Sequence, residues 1–101
     1  YNFFPVIPAP APLESPARLR AELTRQGDTL RLQATLQGQQ AGYLSVVWRR
    51  GDLELGRDSV YLDAAQRQAH FELPAPRGGD YRAMLLFDGT LLRQLDLNEA
   101  Q

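Results

Sequence analysis

Residues 78–97 read Gly78-Gly79-Asp80-Tyr81-Arg82-Ala83-Met84-Leu85-Leu86-Phe87-Asp88-Gly89-Thr90-Leu91-Leu92-Arg93-Gln94-Leu95-Asp96-Leu97, and this stretch decides the fold. Asp88-Gly89 is the strongest short-range hairpin signal, because both central residues of the turn it favours take φ > 0. Tyr81, Ala83, Leu85 and Phe87 alternate along the first arm, so they share one face and can close a core. Met84 and Leu86 then take the opposite face. Simple pairing across the turn sets Leu86 opposite Leu91 and Arg82 opposite Leu95, which adds both leucines to that outer face.

The same alternation recurs upstream. Leu19, Ala21 and Leu23 face one way in residues 18–24, with Arg18, Arg20, Glu22 and Thr24 opposite, the pattern of a half-buried strand. After a turn at Gln26-Gly27-Asp28, Leu30, Leu32, Ala34 and Leu36 alternate with polar residues. A third strand over residues 43–50 puts Leu44, Val46 and Trp48 inward and Tyr43, Ser45, Val47 and Arg49 outward. Arg50-Gly51-Asp52 turns into residues 53–55. A second turn over residues 56–58 leads to residues 59–63, with Val60 and Leu62 inward. Residues 63–67 have room for one helical turn, and Ala69, Phe71 and Leu73 mark the next strand, ended by Pro74-Ala75-Pro76.

Seven or eight short strands separated by turn signals, with no helix-period segment, specify an all-β antiparallel sandwich over residues 18–101. Their order resembles an immunoglobulin-like domain. Trp48 falls on the third strand, where that family keeps its core tryptophan. Asp80-Tyr81-Arg82-Ala83 resembles the tyrosine-corner entry into the sixth strand, with Ala83 where a disulfide cysteine would stand. The chain has no cysteine, so the disulfide-bridged antibody type is excluded. The hairpin from Asp80 to Leu86, the Val47-Trp48-Arg49-Arg50 stretch and the Pro-rich start are also similar to FixH/YtkA-like periplasmic domains. That resemblance implies a sandwich placed after a membrane helix and associated with assembly of copper-containing respiratory oxidases.

Residues 1–17 differ in character. Tyr1, Phe3, Phe4, Val6 and Ile7 are apolar, while Pro5, Pro8, Pro10, Pro12 and Pro16 forbid a helix or a central strand. The stretch lacks the basic start and continuous apolar middle of a secretory signal. It reads as a polyproline II spacer over residues 9–16, with Phe3, Phe4 and Ile7 docked on something apolar. A start at Tyr1 is expected of a processed or excised chain.

At 101 residues the chain is one domain, which buries about two-thirds of its unfolded surface. A net charge of −1 argues against nucleic acid, which selects a basic face. No apolar run is long enough to span a membrane, so a tether would lie outside this chain. All 11 basic residues are arginine, a pattern of G+C-rich bacterial coding.

No catalytic set emerges and no cofactor is expected. His70, the single histidine, reads as a solvated strand residue. Copper could use it only with Met84, two ligands on separate strands. Glu54, Asp58, Asp63 and Asp80 fall in turns and loops, where carboxylates commonly cap. They lack the every-second-residue oxygen spacing of a calcium loop. Arg50-Gly51-Asp52 spells an integrin tripeptide but reads as an ordinary turn. Tyr43, Tyr61 and Tyr1 are the outward aromatics that a sugar-binding module would use.

The feature that carries function is an outer face that should be polar and is not. Tyr43, Val47, Met84, Leu86, Leu91 and Leu95 make an apolar stripe on the third, sixth and seventh strands, and contiguous exposed apolar surface usually marks an interface. Two alternatives stand beside it. A bulge could slip the register and turn the leucines inward, or residues 1–7 could cover the stripe within the same chain. The expectation is a non-enzymatic assembly module of the bacterial periplasm or envelope, binding another protein or further copies of itself.

Overall fold

The computed structural model describes residues 19–98. Seven strands follow one another: β1 (Leu19–Gln26), β2 (Thr29–Leu36), β3 (Gly42–Arg50), β4 (Leu53–Leu62), β5 (Gln68–Pro74), β6 (Asp80–Phe87) and β7 (Thr90–Asn98). They form two antiparallel sheets, ordered β1-β2-β5 and β4-β3-β6-β7. The chain is a seven-stranded β-sandwich, and the expected proline-rich arm lies outside the described residues.

One cluster between the sheets holds the fold. Leu30, Leu32, Ala34 and Leu36 of β2 meet Leu44, Val46 and Trp48 of β3 and Tyr81, Ala83, Leu85 and Phe87 of β6, all buried. Every second residue of each strand is thereby removed from water. At roughly 25 cal/mol per Å² of apolar area, this burial is the main term opposing chain entropy. The alternation read along β6 is the one observed.

The Asp88-Gly89 turn has the backbone the sequence requires, with φ of 47° at Asp88 and 87° at Gly89. Tyr81 anchors the entry to β6 by donating its hydroxyl to the Pro76 carbonyl at 2.5 Å. The Arg25 and Arg50 guanidinium groups stand 5.8 and 5.5 Å from the Tyr81 ring centroid, a cation–π contact on each.

Three expectations need correction. Residues 53–62 are one strand, without a break at residues 56–58. Gly56 pairs with Trp48 and Glu54 with Arg49, so Leu55 is the extra residue of a bulge that keeps the ladder running. Residues 63–67 form no helical turn. Asp63 instead accepts from the Ala65 and Gln66 amides at 2.9 and 2.8 Å, a side-chain-closed turn.

The third correction concerns Leu95. The ladder runs Phe87–Thr90 and Leu86–Leu91, then slips so that Leu85 pairs with Arg93, Met84 with Gln94 and Ala83 with Leu95. Leu92 is the extra residue. Leu92, Leu95 and Leu97 pack against the core, and Leu95 leaves the outer stripe. Without the bulge, Gln94 and Asp96 would point into the core and two leucines into water. One inserted residue removes both costs.

Candidate docking face

The outer face of the four-stranded sheet is built by register, row upon row. Tyr61 lies beside Tyr43. Next come Ser59, Ser45, Leu86 and Leu91, then Arg57, Val47, Met84 and Gln94. The last row is Glu54, Arg49, Arg82 and Asp96. Five of the six residues expected on the stripe therefore share one surface, and Tyr61 joins them. The apolar residues occupy the turn end of the sheet and the charged row closes the other.

Tyr43 and Tyr61 are 55% and 52% exposed, and Leu91 is 48% exposed. Val47, Met84 and Leu86 are half-buried among their neighbours. The two tyrosine rings meet edge to face, with centroids 5.1 Å apart and planes at 66°. This is a favoured aromatic geometry, and it fixes the pair without removing it from solvent. Below it, the Ser45 and Ser59 hydroxyls are 2.8 Å apart.

Asp88 holds this end of the sheet in place. Its amide donates to the Tyr43 carbonyl at 2.9 Å, and its carboxylate Oδ1 accepts from the Tyr43 amide at 2.8 Å. A Cβ on Gly42 would lie 2.5 Å from Asp88 Oδ2 and 2.7 Å from Phe87 Cζ. Gly42 is thus the residue that lets the turn close on Tyr43. Gly42→Ala is expected to cost about 1–3 kcal/mol, the usual penalty of overpacking. At about 4–8 °C per kcal/mol for a domain of this size, a thermal melt reads it, and an unchanged midpoint would contradict the clasp.

The charges at this end are held by local partners, with Arg49 donating to the Asp52 carbonyl at 2.9 Å. Arg82 Nε bonds Asp96 Oδ1 at 2.8 Å, a contact that exists because the β7 bulge brings Asp96 outward. Arg57 grips Glu54 with two bonds, of 3.0 and 2.7 Å. The Arg57 hydrogen bond holds the Glu54 carboxyl below its ordinary value, helped by the charges of Arg57 and Arg49, and the same pair raises Arg57. Glu54 is depressed in the folded state, so its contribution is present above its unfolded pKa and lost as pH falls through the folded one. A carboxyl-detected NMR titration should show Glu54 ionising below a free glutamate, with Arg57→Ala restoring the ordinary midpoint. A midpoint unmoved by that change would remove the pair from the account.

His70 lies elsewhere. In β5 it pairs with Gln33, across from Glu22, on the outer face of the three-stranded sheet. That face is polar, with an Arg31–Glu72 bond of 2.8 Å and a concavity of about 440 Å³. His70 and Met84 are on opposite outer faces of the sandwich, so they cannot share a copper ion. Among the described residues no three His, Cys, Asp or Glu side chains gather as metal ligands. Of the carboxylates expected in turns, Asp63 closes one by accepting from the Ala65 and Gln66 amides, whereas Glu54 and Asp58 lie within β4 and Asp80 opens β6. Arg50-Gly51-Asp52 forms the β3–β4 turn, with φ of 62° at Gly51.

Sequence reasoning missed the Asp88 clasp and the pairing of the two tyrosines. Tyr61 carried a signal: its outward alternation, once β4 is taken as a single strand, puts it level with Tyr43. No protein-family model matches the chain, and no curated protein matches it. The fold and this face therefore define it as a β-sandwich with an apolar sheet surface.

Proposed function

We propose that this chain is an immunoglobulin-like, non-enzymatic docking module that binds another protein through the outer face of β4-β3-β6-β7. The observation that carries the reading is the grouping of Tyr43, Tyr61 and Leu91, each about half exposed, with Val47, Met84 and Leu86. An apolar centre with aromatic anchors, bordered by charged residues, has the anatomy of a protein interface. The immunoglobulin-like class is supported by the strand order, by Trp48 in β3 and by the Tyr81 corner. An extracytoplasmic setting with a membrane tether outside this chain belongs to the same reading. It draws on the Pro-rich start and on the resemblance to FixH/YtkA-like domains.

The test is a photo-crosslinking amino acid placed at Leu91 and, separately, at His70 on the opposite sheet, in the producing cells. A discrete adduct from Leu91, abolished by Leu86→Lys, and none from His70 is the expected result. Equal adducts from both positions, or none from Leu91, would defeat it. Light scattering separates a foreign partner from a second copy of the chain.

A second reading has one observation in its favour, the exposed Tyr43–Tyr61 pair, since aromatic faces stack on sugar rings. The 66° angle between the rings denies a flat platform, which ranks a glycan ligand below a protein. A glycan array without binding would end that reading.

A further inference from the structure

We infer that β1 is a second interaction surface, a strand edge that pairs antiparallel with β1 of another copy of this chain about a two-fold axis at Ala21. The contact is separate from the docking face, which belongs to the other sheet.

A sheet edge exposes a row of unpaired amides and carbonyls, and proteins normally guard it. Of the edge strands here, three carry a guard. β4 is bulged at Leu55, and its Ser59 amide is taken by the Asp58 carboxylate at 2.8 Å. β7 is bulged at Leu92. β5 ends in Pro74, which has no amide to offer. β1 has none of these devices. Its eight residues pair with β2 in unbroken register, and among the described residues no strand lies on its other side.

The ladder shows which groups face outward. The Leu36 amide donates to the Arg67 carbonyl at 3.0 Å, so Leu36 turns its backbone toward β5 and away from its β1 neighbour Leu19. Antiparallel alternation then directs the amides and carbonyls of Leu19, Ala21 and Leu23 to the open side. The Leu19 carbonyl also accepts from Arg93 Nη2 at 2.8 Å, and a carbonyl has a second lone pair to give.

Charge selects both the occupant and the register. Arg20 and Glu22 are exposed on the outer side of β1, beside the uncharged Thr35 and Gln33 of β2. No ion pair engages either of them among the described residues. An axis at Ala21 sets Arg20 opposite the partner's Glu22 and Glu22 opposite the partner's Arg20, in the more closely spaced type of pair. Ala21 exchanges both backbone hydrogen bonds with its own copy, and Leu19 does so with the partner's Leu23. Ala21 and Leu23, half-buried against the core, are covered further. Axes at Arg20 or Glu22 would oppose like charges, and one at Leu23 would set Ala21 against the partner's Arg25. The strand is thus complementary to itself in one register, and the two three-stranded sheets join edge to edge.

Sedimentation of the 101-residue chain over a concentration series at low salt tests this. A monomer–dimer equilibrium is expected. Glu22→Arg should weaken it by at least about tenfold, because both symmetry-related pairs become like charges, and Arg20→Glu should do the same. Combining Arg20→Glu with Glu22→Arg should return the affinity to within about threefold, since the pairs are restored with their signs exchanged. Leu86→Lys should leave the dimer intact. A monomer at every concentration would overturn the inference, as would a dimer indifferent to Glu22→Arg or one that the double change fails to rescue. Loss of the dimer in Leu86→Lys would also overturn it, by moving the contact to the docking face. Crosslinking from Leu91 judges that face separately, so the two readings can fail independently.

Discussion

Leu95→Lys is expected to lower the unfolding free energy by about 1–3 kcal/mol, below the loss of a fully buried leucine because Leu95 is half-buried against the core, while Leu91→Lys stays within about 0.5 kcal/mol. The two leucines are four residues apart on β7, and strict alternation would give them the same face. The bulge separates them. Leu95 pairs with Ala83 and packs on the core, whereas Leu91 pairs with Leu86 and is 48% exposed. A lysine at position 95 forfeits core contacts and drags an ammonium toward an apolar interior; one at position 91 meets water. Chemical denaturation with an unchanged slope reads the difference. Equal losses at both positions would mean the register is uniform and the stripe misdrawn.

Tyr81 carries the second large effect. Tyr81→Phe should cost about 0.5–1.5 kcal/mol, the net worth of one hydrogen bond, because it deletes the hydroxyl bond to the Pro76 carbonyl, which the exposed Pro76 can still offer to water. Tyr81→Ala should cost about 3–5 kcal/mol, adding the loss of a ring buried to 2% exposure. The ring also has an arginine on each of two approaches. A Cβ on Gly79 would meet it at 2.9 Å, so the neighbouring glycine is part of the same arrangement. Denaturation of both variants separates hydroxyl from ring. A phenylalanine variant as stable as the parent would show that the corner hydrogen bond contributes nothing net.

The strands were legible because the residues alternate so plainly. Leu30, Leu32, Ala34 and Leu36 admit one facing, and so do Tyr81, Ala83, Leu85 and Phe87. The hairpin was legible because Asp88-Gly89 suits a turn with two positive φ values. Both bulges were harder to see, since each requires weighing one residue against all that follow. In β7 the clue was present: Leu92 and the pair Leu95, Leu97 have opposite parity, which a regular strand cannot reconcile with one core. In β4, Gly56 suggested a turn, and only its pairing with Trp48 shows it inside a strand.

The docking face was legible in outline from residues that alternate outward yet are apolar. Its membership changed where register changed, with Leu95 lost and Tyr61 gained. What the sequence did not reveal was cross-strand adjacency. Tyr43 and Tyr61 are eighteen positions apart and become neighbours only through the β3–β4 ladder. The clasp of Asp88 on Tyr43 likewise joins distant positions through a turn side chain, and no local pattern marks it.

The central claim is that β6 turns its aromatic positions inward and leaves Met84 and Leu86 on the outer face. The most direct measurement is a nuclear Overhauser spectrum filtered on the Met84 methyl, the one methionine signal of the chain. The account predicts cross-peaks to the side chains of Val47 and Gln94, its cross-strand partners, and none to the rings of Trp48 or Phe71. Cross-peaks to those rings would place Met84 in the core and remove the docking face.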